Sequence, residues 1–495
     1  MPKAQKDRLR TALDHLPDGP ENPAEDEHAL KVTNRLPEGV DSKELYRDVV
    51  RIAWPSFVEL ILTQLASMVD LMMVGSIGGS EHTDWGAMAL SAVGLTNQPK
   101  FLLMAAFIAM NTGVTAMVAR YKGIGEREKA NLVVRQGLLF TFVSTILLSV
   151  LGIIFSRPMI ILMGSTEETV TLWATQYLQI QLAGFLTMAL TSTITASLRG
   201  VGDSRSSMFY NLIANAVNVV FNYLLIYGHF GFPALGVAGA SIATVIGQLV
   251  AFVISLWIIL RGNGFLQLEF RKGFRPDRMT MRDLIHIGLP SMAEQLLMRV
   301  GMIVFSITVA SLGTIAFATH QVCMNIQALS FMTGQAFAVS STTLVGQSLG
   351  KRRPDMAQAY CSRAQRIGMF VAFFLTAAFA LFGGQIVSLY NSDPQIVSMG
   401  ATIMLFVAFV QPFQASQFIV AGGLRGAGDT RATAVITMIT MMIIRPILAL
   451  ILVRVGLGIY GAWIAVAADQ LTRTFLVFSR YRQGRWKLIR LKSDG

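Results

Sequence analysis

Asp70 stands in the run Leu65-Ala66-Ser67-Met68-Val69-Asp70-Leu71-Met72. No basic residue lies at helical spacing along that run to neutralise it. An Asp at the centre of a membrane helix costs roughly 2.5–3.5 kcal/mol, so an acid kept there is a candidate for moving ions. A carboxyl group on a cavity can load and release a proton, or hold Na+ as a hard cation among oxygens. The alternative is an acid solvated near the outer end of its helix. Counted from Val50, Asp70 lies about 30 Å along at 1.5 Å per residue, which keeps that alternative open.

Other polar side chains share the same kind of setting. Asn211, Asn215, Asn218 and Asn222 recur at spacings of four, three and four, which places them on one helical face. Such a stripe bonds a neighbouring helix or lines a cavity beside Asp70. Glu59 follows Pro55, and Glu294 follows Pro290, by four residues each. The prolines remove a backbone bond and mark bend points; the acids are either helix-start groups or a secondary site. Arg299 comes five residues after Glu294, off the spacing that pairs side chains. Arg445 and Asp469 lie in different apolar runs and read as a buried structural pair. His320, Gln321, Asn325, Gln327 and Gln335 share another run. His320 reads as structural, with pH sensing as the sharper alternative. Methionine (26) and phenylalanine (30) are numerous enough to build an adaptable lining, with Met68, Met72, Met298 and Met302 as candidates.

The elements carrying these groups must be membrane helices. The chain has 495 residues, 53% hydrophobic and 14% charged, and a mean hydropathy of +0.53. Soluble proteins carry roughly 25% charged residues. About 20 apolar residues cross a hydrocarbon core, and twelve runs qualify: 50–74, 90–119, 133–156, 171–197, 207–228 and 236–260, then 284–310, 317–346, 364–388, 396–422, 432–454 and 458–479. The predicted class is therefore an all-α integral membrane protein of twelve transmembrane helices in two six-helix lobes.

The halves echo one another. Leu198-Arg199-Gly200-Val201-Gly202-Asp203-Ser204-Arg205 returns as Leu424-Arg425-Gly426-Ala427-Gly428-Asp429-Thr430-Arg431. Leu235-Gly236-Val237-Ala238-Gly239-Ala240 returns as Leu457-Gly458-Ile459-Tyr460-Gly461-Ala462, and Pro55-Ser56 with Glu59 as Pro290-Ser291 with Glu294. Equal order and direction make a parallel repeat about an axis along the membrane normal, the arrangement that lets one half rock against the other around a central site. Gly200 and Gly426 are predicted helix ends, Asp203 and Asp429 the N-caps that follow. The same alignment sets Phe305 opposite Asp70, so the acid belongs to the first half alone. The predicted division is a polar extension (1–48), an N-lobe (49–260), a linker (261–283), a C-lobe (284–480) and a basic tail (481–495).

Lys and Arg fall on one side. They cluster at Lys43, Arg47 and Arg51, at Arg120 to Lys129, at Arg261 to Arg282, at Lys351 to Arg366, and at Arg480 to Lys492; the alternate loops carry Glu81 and Asp84, with Arg157 and Arg454 as exceptions. This bias predicts both termini cytoplasmic. The net charge of +12 is thus a topology signal with anionic-lipid contact, and nucleic acid is not an expected partner. The extension is polar and proline-containing, read as disordered or loosely helical with a surface helix near 41–51, and without a secretory signal. Cys323 and Cys361 give neither a disulfide framework nor a metal spacing. Gly346-Gln347-Ser348-Leu349-Gly350-Lys351-Arg352 lacks the spacing of a phosphate loop, and no nucleophile elbow is present, so an enzyme is not expected.

These residues together resemble the multidrug and toxic compound extrusion transporters over about 48–480. The resemblance rests on Pro55 with Val69-Asp70 and Val74-Gly75, on the two Leu-Arg-Gly loops, on Gly288-Leu289-Pro290 and on Leu344-Val345-Gly346-Gln347. It implies two six-helix lobes around a cleft, and export of organic, often cationic, compounds driven by H+ or Na+. It further implies a monomer in the plasma (inner) membrane with no cofactor beyond the coupling ion. The chain is most similar to the DinF-like branch, whose coupling lies in the N-lobe. Asp70 matches that branch's first-span aspartate, Pro55 its bending proline, Asn218 a fifth-span cavity asparagine and Tyr177 a fourth-span tyrosine, with Thr195 at a neighbouring polar position. The resemblance thus implies an ion-coupling set of Asp70, Asn218 and Asn222, and a substrate cavity with Tyr177, Thr195, Asn215, Met298, Gln321 and Asn325. Asn222 stands where some members have a second Asp. Met298 stands where the other branch has a seventh-span acid, which leaves Glu294 as the substitute there. A lipid-linked saccharide flippase is the alternative on a related scaffold; it would need basic groups in the cleft, for which Arg299 and Arg445 are the candidates.

Overall fold

The computed structural model describes residues 36–489 apart from 38, 79–84, 166, 263, 270–272, 391 and 392. Residues 1–35 of the extension, Glu81 and Asp84, Arg271 and Lys272, and Arg490 and Lys492 lie outside the described residues.

Twelve spans follow one another. Span 1 is Ser42–Gly75, span 2 Trp85–Ile124 and span 3 Arg127–Ile154. After the short helix Ser156–Leu162, span 4 runs as Glu168–Ala183 and Phe185–Gly200; span 5 is Ser204–Tyr227 and span 6 Gly236–Arg261. The second half has Arg278–Ala310, Thr314–Gly350, Pro354–Ser388 and Pro394–Gly426 as spans 7 to 10. Span 11 begins at Thr430, and span 12 is Gly458–Arg482. Positive φ angles at Gly456 and Gly458 reverse the chain between spans 11 and 12, which pack on one another. A 34-residue helix is about 51 Å long against a hydrocarbon core of about 30 Å. The helix expected near 41–51 is therefore the first part of span 1 itself.

The bends fall elsewhere than the prolines suggest. Pro55 and Pro290 lie inside unbroken helices. Beside them, the hydroxyls of Ser56 and Ser291 each bond the carbonyl four residues back (both 3.2 Å). Span 2 turns by 41° near residue 106, and span 4 by 50° at Gly184. Span 11 contains a π-helical stretch, Met438–Ile444, just before Arg445 and Pro446. Pro446 has no N–H to return to the preceding turn, and a widened turn accommodates it.

Asp203 caps span 5 by accepting from the Ser206 backbone N–H (3.1 Å). Asp429 does not repeat this: its carboxylate accepts from Arg480 Nε of span 12 at 2.7 Å. A nearby cation has displaced the capping bond.

Each lobe has its own apolar core, yet the first helix of each half also reaches across. Val49, Ile52 and Ala53 of span 1 are buried with Phe337, Leu344, Ala364 and Ile419 of the second half. Leu284 and Ile287 of span 7 are buried in the core of the first half. Tyr360 donates to Asp48 (2.8 Å) and Arg363 to Ser42 (3.2 Å), fixing the start of span 1 to span 9.

Candidate ion-coupling site and central cleft

Span 5 lies along span 1, and its asparagine stripe is the seam. Asn211 Nδ2 donates to Glu59 Oε1 (2.7 Å), Asn215 Nδ2 to Thr63 Oγ1 (3.3 Å), and Asn222 Nδ2 to Asp70 Oδ1. Asn218 suits its neighbours with its nitrogen toward the carboxylate. It then donates to both Asp70 oxygens (2.9 and 3.3 Å), and its oxygen accepts from the Thr244 backbone N–H (3.3 Å). The stripe thus bonds the neighbouring helix along its length. Asn211 and Asn215 bind span 1 as neighbours, and Asn218 and Asn222 build the surroundings of its acid. Asn222 and Asn218 are buried, whereas Asp70 is partly exposed. A carboxylate held by two amide donors stays in place while part of it remains exposed.

Two groups at this site have no counterpart in the sequence reading. Thr244 of span 6 meets Asn218. Thr195 lies deeper in the lobe, bonded to the Thr191 carbonyl (2.9 Å) and to the Tyr210 hydroxyl. It is buried and joins spans 4 and 5 through these bonds. Lys100 of span 2 is the second group. Its ammonium donates to Gln181 Oε1 of span 4 (3.1 Å). The search for a basic partner along span 1 alone missed it, although Lys100 is a charged residue within an apolar run. The Tyr177 carbonyl of span 4 accepts from Ser241 Oγ of span 6 (2.9 Å).

Glu59 is no helix-start acid. It is buried, paired with Arg199 Nη2 (2.8 Å) and accepts from Ser207 Oγ (3.1 Å) as well as Asn211. Glu294 is its repeat equivalent and accepts from Thr433 Oγ1 (2.9 Å), where Thr433 corresponds to Ser207. Both acids tie the first span of a half to the fifth. Arg445 pairs with Asp469 (2.9 Å) as expected, but the same carboxylate also holds Arg473 (2.8 Å). The Arg445 guanidinium lies 5.4 Å from the Phe305 ring centroid. His320 is buried among Phe305, Phe317 and Trp463. Where the N-lobe has its acid, the C-lobe therefore has an aromatic ring under a cation. Met298 is half-buried, Gln321 and Asn325 are exposed on one face of span 8, and the Arg299 guanidinium lies 3.7 Å from the Phe101 ring centroid across the lobes.

The MatE family model matches residues 55–224 and 290–451. The chain is 28% identical over 446 residues to the probable multidrug resistance protein NorM of Thermotoga maritima, covering 90% of this chain and 94% of that one. It is 29% identical over 394 residues to the multidrug resistance protein MdtK of Yersinia pestis, covering 79% and 84%. Among solved structures it is similar to a multidrug resistance MATE family transporter of the MOP superfamily in an outward-facing conformation, with a TM-score of 0.82 and 21% identity over 92% of this chain and all of that one. Twelve spans in two like halves, a carboxylate held among membrane helices and these likenesses agree: the chain belongs to the MatE family, membrane transporters rather than enzymes.

Proposed function

We propose that this chain is a secondary antiporter that exports amphipathic or cationic organic compounds in exchange for H+ or Na+ taken up at Asp70. The observation that carries this reading is the Asp70 carboxylate itself, held by Asn218 and Asn222 in one lobe and replaced by Phe305 in the other. The multidrug names of the NorM and MdtK relatives support the substrate class. A half-buried and exposed polar and methionine lining, with Met298, Gln321 and Asn325, suits ligands of varied shape. The coupling ion binds at Asp70 while the cleft faces outward. The bond pattern between spans 1 and 5 then rearranges near Pro55, the organic compound leaves, and the ion is released to the cytoplasm. Each charge moved down about 100 mV supplies roughly 2.3 kcal/mol, enough for about a 50-fold gradient of an exported compound.

The expected setting is the plasma (inner) membrane with both termini cytoplasmic, which the one-sided placement of Lys and Arg supports. The chain acts as a monomer of an N-lobe (49–260) and a C-lobe (284–480) in contact with anionic lipid, and needs no cofactor. A saccharide flippase is disfavoured because Arg299 is stacked on Phe101 and Arg445 is held by Asp469. The test is efflux of a fluorescent cationic dye from proteoliposomes under an imposed ΔpH or ΔNa+. Asp70→Asn is expected to abolish gradient-driven efflux while dye binding persists. Full efflux in that variant would exclude Asp70 as the coupling site.

A further inference from the structure

Spans 9 and 12 both pack on span 10, without an extended contact between them. Span 10 is the floor. Gln365 Nε2 of span 9 donates to Ser416 Oγ (2.7 Å), and Thr474 Oγ1 of span 12 donates to the Phe413 carbonyl (3.1 Å). The furrow left between the two spans has a volume of about 550 Å³, within the roughly 300–1,000 Å³ of small-ligand clefts. Its walls include Ser362, Arg366, Phe370 and Phe373 on one side, and Phe478 and Arg482 on the other.

The charge in this furrow is uncompensated. Arg366 and Arg482 are exposed, and their side chains make no hydrogen bond or ion pair with another described residue. Spans 9, 10 and 12 hold two acids, Asp355 and Asp469. Asp355 is taken by Arg353 (2.7 Å), and Asp469 by Arg445 and Arg473. Asp429, in the loop after span 10, is taken by Arg480 (2.7 Å). Beyond the two arginines the surface turns apolar: Phe370 is 77% exposed, Phe374 73% and Phe475 71%. Phe370 and Phe374 follow Arg366 by four and eight residues, and Phe475 precedes Arg482 by seven. On these oppositely directed helices the rings therefore lie about 6–12 Å farther into the membrane than the guanidinium groups. This is the end that carries the excess of Lys and Arg, the side expected to face the cytoplasm.

An anionic phospholipid matches both parts of this surface. Guanidinium forks fit phosphate oxygens, the Ser362 hydroxyl offers a further donor, and acyl chains cover the phenylalanine rings. A zwitterionic headgroup would bring its own cation to the same place. A second copy of this chain related by a two-fold axis would set its own two arginines against these, four cations together.

We propose that the furrow between spans 9 and 12 is a binding site for one phospholipid of net negative charge, its phosphate held by Arg366 and Arg482. The site stands independently of which ion is exchanged at Asp70.

Native mass spectrometry of the full chain, released from nanodiscs of phosphatidylcholine containing phosphatidylglycerol, reads the first lipid retained. The wild type is expected to retain phosphatidylglycerol in preference. A basic residue near a membrane surface contributes about a factor of five, so Arg366→Gln with Arg482→Gln lowers the apparent phosphatidylglycerol affinity roughly 30-fold. Arg278→Gln with Arg282→Gln removes the same charge from the exposed start of span 7 and leaves that affinity as in the wild type. Added phosphatidylglycerol raises the melting temperature of the detergent-purified wild type in proportion to occupancy, and fails to do so in the Arg366/Arg482 double variant. Inorganic phosphate at the same concentration as the lipid does not displace it. Equal retention of the two lipids by the wild type overturns the proposal, as does an equal loss in the two double variants. So does an undiminished melting shift without Arg366 and Arg482, or displacement of the lipid by inorganic phosphate, which would leave the acyl chains no part in binding.

Discussion

Glu59→Gln separates structural acids from coupling acids. The substitution keeps the shape of the side chain but leaves Arg199 without its counter-charge. Breaking a buried pair costs about 3–5 kcal/mol, and about 3 is expected here because Arg199 keeps 21% of its side chain exposed. Thermal unfolding in detergent should show the loss, while transport per folded molecule keeps its ion dependence. Asp70→Asn should do the reverse, sparing the fold and removing the coupling. The two acids lie on one helix, eleven residues apart, and the sequence alone presents both as carboxylates in apolar runs. Their difference comes from partners on other spans: Arg199 and Ser207 at Glu59, two asparagines at Asp70.

At the scale of elements, span 4 turns by 50° where it meets span 6. A Cβ at Gly184 would lie 2.6 Å from both methyl carbons of Val245, so spans 4 and 6 touch where span 4 turns. Gly184→Val is therefore expected to destabilise the N-lobe by about 1–3 kcal/mol, as overpacking does. Val245→Ala in the same chain should restore part of that loss, a coupling read from a double-mutant cycle of melting temperatures. Helix existence was legible from apolar run lengths, and the asparagine face from its spacing. The bend at Gly184 was not, since a glycine in a helix signals a close approach only when the facing element is known. Asp429 shows the same limit, because its cap was displaced by Arg480, 51 residues further along.

At the scale of the whole molecule, the halves meet where the ends of spans 2 and 8 cross. A Cβ at Gly123 would sit 2.1 Å from the Gln347 carbonyl oxygen, and one at Gly350 would sit 2.1 Å from that of Arg120. The repeat relates these contacts, so the ends of spans 2 and 8 cross about the pseudo-two-fold axis. Thr343 and Gln347 of span 8 add bonds to the carbonyls of Arg199 (2.8 Å) and Gly200 (3.0 Å) in the first repeated loop. A transporter that alternates must break and remake this crossing. Gly350→Val is expected to hold the two ends apart and slow efflux severely. Spin labels at residues 124 and 351 should report a longer distance than in the wild type; an unchanged distance would rule out the crossing as the seal.

By itself the sequence determined the class, the number of spans, the repeat and the isolated acid. Each of these follows from hydrophobicity, periodicity or identity along one chain, and the membrane enforces them locally because every span must satisfy its own backbone. The tertiary structure decided which polar groups meet. Asn218 and Asn222 meet Asp70 only because span 5 packs along span 1, and Arg445 lies over Phe305 only because spans 7, 11 and 12 pack together. The repeated halves make the molecule symmetric along the chain. The charges drawn together between spans make it asymmetric in space.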